Sequence, residues 1–263
     1  MSVPAPPGAP RRLLAEVLVT FLVTLLVIRL DVSLFSGVLW DLPLALVPVL
    51  FMWVPVWVLR QRGEDPDQYP LALPMPGEDR EVWTRALREA GLVILVITAP
   101  FIGVYHLWQT GLFPALLDGM CGLEVPGACY EARRAAGFGP AWRLPDEPLK
   151  LVFYHLFFVA IPEEMFYRGY MQSRLEEHWA PRWRVFGAQL GPGWLLTCLI
   201  FAFGHSLVIF QWWHFAIFFP SLVFGWLRAR TGHVLAGAFF HAWCNVLVAF
   251  LDAAWGVTVP GAS

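Results

Sequence analysis

Ile161-Pro162-Glu163-Glu164-Met165-Phe166-Tyr167-Arg168-Gly169 places two adjacent carboxylates and an arginine inside a largely apolar stretch. Mostly apolar residues from Leu151 to Ile161 lead into it. An ionised side chain at the centre of a membrane helix costs roughly 2.5–3.5 kcal/mol on insertion scales, so such a pair needs partners or a function. On a helix, positions four apart share a face, and Glu164 can pair with Arg168. Glu163, about 100° round the axis, is left without that partner. Pro162 removes a backbone donor and is expected to kink the helix just before the pair, opening room for water.

The composition says what surrounds this stretch. The chain has 263 residues, 58% hydrophobic and only 14% charged, with a mean hydropathy of +0.58. Soluble domains carry about 25% charged residues. The apolar runs are continuous rather than alternating, which favours helices over a barrel. The sequence therefore predicts an all-α, polytopic membrane helix bundle of about seven to eight transmembrane helices. Spans fall near 13–30, 38–59, 86–108, 149–172, 194–210, 212–228 and 233–255, with a short interfacial or re-entrant segment at Thr110–Leu117. Trp40, Trp57, Trp83, Trp108, Trp194 and Trp255 lie near the ends of these runs, where interfacial belts favour tryptophan. A net charge of −2 offers no basic footprint, so nucleic acid is not expected as a partner.

With the N-terminus in the cytoplasm, Arg11, Arg12, Arg60, Arg62, Arg80, Arg85, Arg88, Arg174, Arg182, Arg184, Arg228 and Arg230 fall inside. Arg29, Arg133, Arg134, Arg143 and Lys150 fall outside, which satisfies the positive-inside rule. Arg11-Arg12 before an apolar run resembles a signal peptide, but no small-residue cleavage site follows, so 13–30 reads as a retained helix. We divide the chain into 1–148, comprising N-terminal helices, a Pro-rich cytoplasmic linker at 60–80 and an extracytoplasmic loop at 109–148, and 149–255, the core that carries the polar motifs. Cys121 and Cys129 in that loop are either bridged or free thiols; Cys198 and Cys244 lie in spans as packing residues.

Two further polar sets sit in the last spans: His205, and His241 with Asn245 four residues on. A carboxylate and an imidazole can together deprotonate a water, and imidazole and amide N–H groups can stabilise an oxyanion. Glu163, His205 and His241 also make a His₂Glu set that suits a catalytic zinc. The zinc-protease signature His-Glu-x-x-His and the Gly-x-Ser-x-Gly elbow are both absent from the chain. His155, His214 and His233 read as packing residues, Phe215–Phe224 as lipid-facing or core, and Asp252 as solvated near a span end.

Glu163-Glu164-x-x-x-Arg168, Phe201-x-x-x-His205 and His241-x-x-x-Asn245, in this order and each in its own apolar span, resemble the CAAX-prenyl-endopeptidase-like and bacteriocin-processing family. That family comprises intramembrane proteases, often called glutamic-type, and the resemblance covers about 149–252. It implies a multi-pass enzyme that hydrolyses a peptide bond of a membrane-associated protein, either a CAAX-type prenylated tail or a bacterial C-terminal sorting anchor as in the myxosortase-like branch. It implies catalytic roles for Glu163 and His205 in activating water, and for His241 and Asn245 in holding the oxyanion. Glu164 and Arg168 would support the site or contact substrate. No cofactor is expected, with zinc the alternative. The implied partners are the lipid bilayer and a membrane protein or lipidated tail, and the Arg-, Ala- and Pro-rich composition with one lysine suggests a bacterial inner membrane. The contrasting readings are a non-catalytic immunity or partner-binding protein of the same fold, and a transporter relaying protons through Glu163 and His205; no inverted repeats support the latter.

Overall fold

The computed structural model describes residues 9–35, 41–75, 77, 79–110, 143–208 and 212–256. The interfacial segment Thr110–Leu117 beyond its first residue, Cys121, Cys129, Arg133, Arg134 and most of the 109–148 loop lie outside the described residues. Helix α1 is Ala9–Phe35, α2 is Asp41–Gln61 and α3 is Arg80–Thr110. Residues 148–178 follow one continuous helical path, α4, in which α-helical and π-helical turns alternate. A two-stranded antiparallel hairpin comes next, β1 Trp183–Val185 and β2 Ala188–Leu190, with Trp183 opposite Leu190. Then come α5, Pro192–Val208, a 3-10 helix Trp212–Ile217, α6, Phe218–Thr231, and α7, Leu235–Trp255.

The all-α membrane bundle is thus the fold, with a small hairpin added at one end. Helices α1 and α2 pack side by side against α4, α5 and α6 flank it, and α3 lies outermost on α6 and α7. Among the described residues, three helices are long and apolar enough to cross a membrane: Arg12–Asp31, Arg80–Leu107 and Leu235–Trp255. Leu46–Gln61 and Pro192–Val208 are shorter apolar helices. The expected span 212–228 is divided between the 3-10 turn and α6. At 1.5 Å per residue, α6 is about 21 Å long, short of a roughly 30 Å hydrocarbon core.

The core gathers on α4. Phe166, Tyr167, Arg168 and Tyr170 are fully buried or nearly so. Phe51 packs tilted against Phe166 with ring centroids 4.9 Å apart, and Phe201 meets Tyr167 edge-on at 4.8 Å. Pro162 does more than remove one donor. Its ring crowds the carbonyl four residues back, and the turns just before it, His155–Ala160, are π-helical, so that the Ile161 N–H reaches Leu156. Met165–Gln172 is π-helical as well, and the Ser173 hydroxyl donates to the Gly169 carbonyl at 2.6 Å. Wide turns of this kind cluster at functional sites.

One end of the bundle is stitched by buried charge. Arg174, 4% exposed, donates to Glu16 at 3.2 Å, Glu64 at 2.8 Å, Glu177 at 2.6 Å and the Tyr69 hydroxyl at 2.9 Å. Arg62 adds a 2.9 Å pair with Glu16. Burial, then hydrogen bonds to Glu177 and Glu64, push the Tyr69 phenol above its usual range. The 60–80 segment is therefore not a free linker. It carries the 3-10 turn Pro66–Gln68 and buries Leu71 against α4. Two other expectations also change. Asp252 is not simply solvated, because the Tyr105 hydroxyl donates to it. Trp255 turns inward, 5% exposed, with its ring 5.3 Å from that of His106.

Gly169 is where the 60–80 segment comes closest to α4. A Cβ there would lie 2.8 Å from Leu71 Cδ2 and 3.0 Å from the Pro70 carbonyl oxygen. Gly169→Ala is expected to cost about 1–3 kcal/mol by overpacking. It should expose residues 64–75 to limited proteolysis while the transmembrane helices stay protected.

Candidate active site

Three helices bring the three motifs together. Glu163 and Glu164 leave the short α-helical turn Ile161–Glu164 of α4. His205 lies near the C-terminal end of α5, and His241 and Asn245 lie on α7. Glu163 Oε2 stands 3.9 Å from His205 Nε2 and 3.8 Å from His241 Nε2. Both imidazoles therefore face one carboxylate oxygen, at distances beyond a direct hydrogen bond. That oxygen is buried and has no hydrogen-bond donor among the described residues.

The outer nitrogen of each ring is held. His205 Nδ1 lies 2.9 Å from the Phe201 carbonyl oxygen. A carbonyl only accepts, so Nδ1 carries a proton, and when the ring is neutral its Nε2 lone pair is the one turned toward Glu163. His241 Nδ1 lies 3.1 Å from Glu164 Oε1 and donates to it by the same reasoning. Metal-binding imidazoles are held by outer contacts of this kind. Among the described residues, however, no group of three His, Cys, Asp or Glu side chains has metal-ligating geometry.

Glu164 has a different environment from its neighbour. Arg168 Nη1 reaches its Oε1 at 2.9 Å, and both side chains are 0% exposed. Arg168 Nη2 donates to Ser221 Oγ on α6 at 2.7 Å. Its guanidinium lies 4.2 Å from the Phe201 ring centroid and 5.1 Å from that of Phe224. Phe224 in turn stacks on the His241 ring at 4.6 Å. Ser221, Arg168, Glu164 and His241 thus form a continuous polar chain sealed by aromatic rings. Glu164 is more than the mate of Arg168, because it also orients His241, a link that crosses from α4 to α7.

Asn245 sits one turn beyond His241 on α7, partly buried, with no hydrogen bond recorded among the described residues. The structure brings Glu163, His205 and His241 together and places Asn245 on the adjoining turn. Ser221 and Gly237 escaped the sequence reading, while His214 and His233 were read as packing residues. Ser221 lay inside the Phe-rich run read as lipid-facing or core, where a lone serine carries no spacing signal. The His214 ring stands 5.9 Å from that of His205. His233 accepts from the Leu235 N–H at the start of α7 and contacts the Ala72 carbonyl at 3.1 Å. A Cβ on Gly237, one turn before His241, would lie 2.9 Å from Glu164 Oε2. That glycine gives the carboxylate its room.

Removing one partner from a buried ion pair costs about 3–5 kcal/mol, because the other charge is stranded. Arg168→Ala is expected to show that loss in detergent unfolding. Ser221→Ala, which removes one charge-assisted hydrogen bond, should cost about 1.5–3 kcal/mol. Equal stability of both variants with the wild type would contradict this description of the polar chain.

Residues 145–247 match the family described as type II CAAX prenyl endopeptidase Rce1-like. No curated protein and no solved structure matches the chain. The matched region contains all three motifs and α4 to most of α7. That family is one of CAAX-type endopeptidases, and the similarity, with helices long and apolar enough to cross a membrane, supports a membrane-embedded endopeptidase in general terms. Over residues 145–247, which hold all three motifs, the chain is similar to the type II CAAX prenyl endopeptidase Rce1-like family.

Proposed function

We propose that the protein is a glutamic-type intramembrane endopeptidase in which Glu163 and His205 activate a water and His241 and Asn245 receive the oxyanion. The observation that carries this reading is the approach of two imidazole Nε2 atoms to one carboxylate oxygen, at 3.8 and 3.9 Å. A water at about 2.8 Å from both Glu163 Oε2 and His205 Nε2 closes a triangle over that base. The water gives a proton to this pair as its oxygen bonds to the scissile carbonyl carbon. The carbonyl electron pair moves onto oxygen and is met by His241 Nε2–H and the Asn245 amide. The C–N bond then breaks, and the proton passes from the pair to the departing amine.

With Nδ1–H engaged by Glu164, His241 can donate from Nε2 only as the doubly protonated ring. Glu164 then compensates that charge as well as orienting the ring. The division of labour follows: Glu163 touches the reacting atoms, and Glu164 positions through His241 and Arg168.

The substrate reading is a membrane-associated tail, and a bacterial C-terminal sorting anchor is favoured over a prenylated CAAX tail. The composition suggests a bacterial inner membrane. An N-terminus in the cytoplasm is supported by Arg62, Arg174 and Arg230 lying at the same end of the bundle as the start of α1.

The test is cleavage of candidate tail peptides by purified protein, prenylated CAAX tails beside sorting-anchor peptides, with and without a chelator, next to Glu163→Ala. Cleavage that survives chelator and disappears in Glu163→Ala, by a factor of about 10² or more, is the expected outcome. Loss with chelator and recovery with zinc would assign the same three residues to a metal. A Glu163→Ala or His205→Ala variant that folds and cleaves normally would refute the mechanism.

A further inference from the structure

A second site lies away from the polar centre. Helix α3, the hairpin, α5 and α6 enclose an open groove of about 640 Å³, within the usual range of small-molecule sites. Its walls are apolar, made chiefly by Leu92, Val96, Phe186, Leu190, Leu222 and Trp226, and none of the motif residues lines it. The groove faces lipid: Leu92 is 54% exposed and Val96 70% exposed, on a helix long enough to span the membrane.

Its other end is charged. Glu89 and Arg230 line the groove there. Arg88 pairs with Glu89 at 2.9 Å and Arg230 pairs with it at 2.6 Å. Arg85, exposed one turn earlier, donates to the Arg230 carbonyl at 2.6 Å. Arg88 and Arg230 therefore share one carboxylate while Arg85 is bound to a backbone carbonyl, and the local balance is positive. Glu81, one turn before Arg85, is the next carboxylate along α3. Arg88, Leu92 and Val96 follow each other at i, i+4 and i+8, so one face of α3 runs from cation to open groove.

The opposite wall is held in place. Trp226 Nε1 donates to the Val185 carbonyl at 2.9 Å, and Arg230 donates to the Phe186 carbonyl. Phe186 and Gly187 both have positive φ, +43° and +84°, which is the hairpin turn that matches strand twist. It leaves the Phe186 ring 83% exposed at the groove mouth.

We propose that this groove holds an acyl chain of an anionic phospholipid whose headgroup is seated on Arg85 and Arg88. The charge surplus at one end selects an anionic headgroup, since each arginine near the surface attracts acidic lipid. The apolar walls, open to the bilayer, take the chain. Arg230 is spent on Glu89 and on the hairpin and sets the floor between headgroup and chain.

The test uses the full-length protein reconstituted in vesicles of phosphatidylglycerol and phosphatidylcholine, extracted and weighed with its retained lipid by native mass spectrometry. Wild type should retain phosphatidylglycerol preferentially. The R85Q/R88Q variant should lose that preference by a factor of roughly 30. Leu92→Trp, at an exposed position, should fill the groove and abolish retained lipid without lowering thermal stability. No headgroup preference in the wild type, an unchanged preference in R85Q/R88Q, or unchanged lipid retention in Leu92→Trp would overturn the proposal.

Discussion

The buried pair of Glu164 and Arg168 is the constraint on which the rest of this molecule depends. Both side chains are withdrawn from solvent, and neither charge is tolerable alone at that depth. Their needs draw the surrounding helices in. Arg168 requires an acceptor from α6 and finds Ser221; Glu164 requires a second donor and finds His241 on α7. Aromatic faces from Phe201 and Phe224 complete the guanidinium's surroundings. One polar group therefore specifies how three helices meet.

That arrangement also creates the asymmetry between the two glutamates. Two adjacent positions on a helix face different directions, and here Glu164 meets an arginine and a histidine at hydrogen-bond distance while Glu163 meets two histidines beyond it. Glu164 is bonded through Oε1 by both arginine and histidine, while its Oε2 lies against Gly237 with no donor among the described residues. Glu163 faces two ring nitrogens too distant for direct bonding, with its Oε2 lacking a donor among the described residues. A carboxylate left in that state is costly unless the site uses it. The π-helical turns on both sides of Ile161–Glu164 belong to the same picture. They adjust the exit angle of a segment that must face α2, α5, α6 and α7 at once.

The parts of this design that the sequence expresses locally were readable there. The i, i+4 spacing of Glu164 and Arg168 needs only a helix, and the length of the apolar runs needs only a bilayer. The convergence of His205 and His241 on Glu163 is a property of the closed bundle; only the resemblance of three ordered motifs pointed to it. Other features had no local signature. Ser221 is one hydroxyl in an aromatic run, and its value depends on an arginine 53 residues earlier. Polar residues and prolines between 60 and 80 suggested a linker, yet Glu64 and Tyr69 are bound by Arg174 more than a hundred residues away. Asp252 looked solvated because its partner, Tyr105, is on a different helix. Hairpin residues 183–190 were hidden because three-residue strands make no periodic pattern.

The central claim is that two neighbouring carboxylates do separate work. The most direct measurement compares Glu163→Gln with Glu164→Gln, recording thermal unfolding in detergent and turnover of one cleavable tail peptide on the same preparations. The account predicts that Glu163→Gln unfolds close to the wild-type temperature while turnover falls by a factor of about 10² or more. Glu164→Gln should unfold well below it, with turnover reduced in the fraction that remains folded. Normal turnover in Glu163→Gln, or wild-type stability in Glu164→Gln, would contradict it.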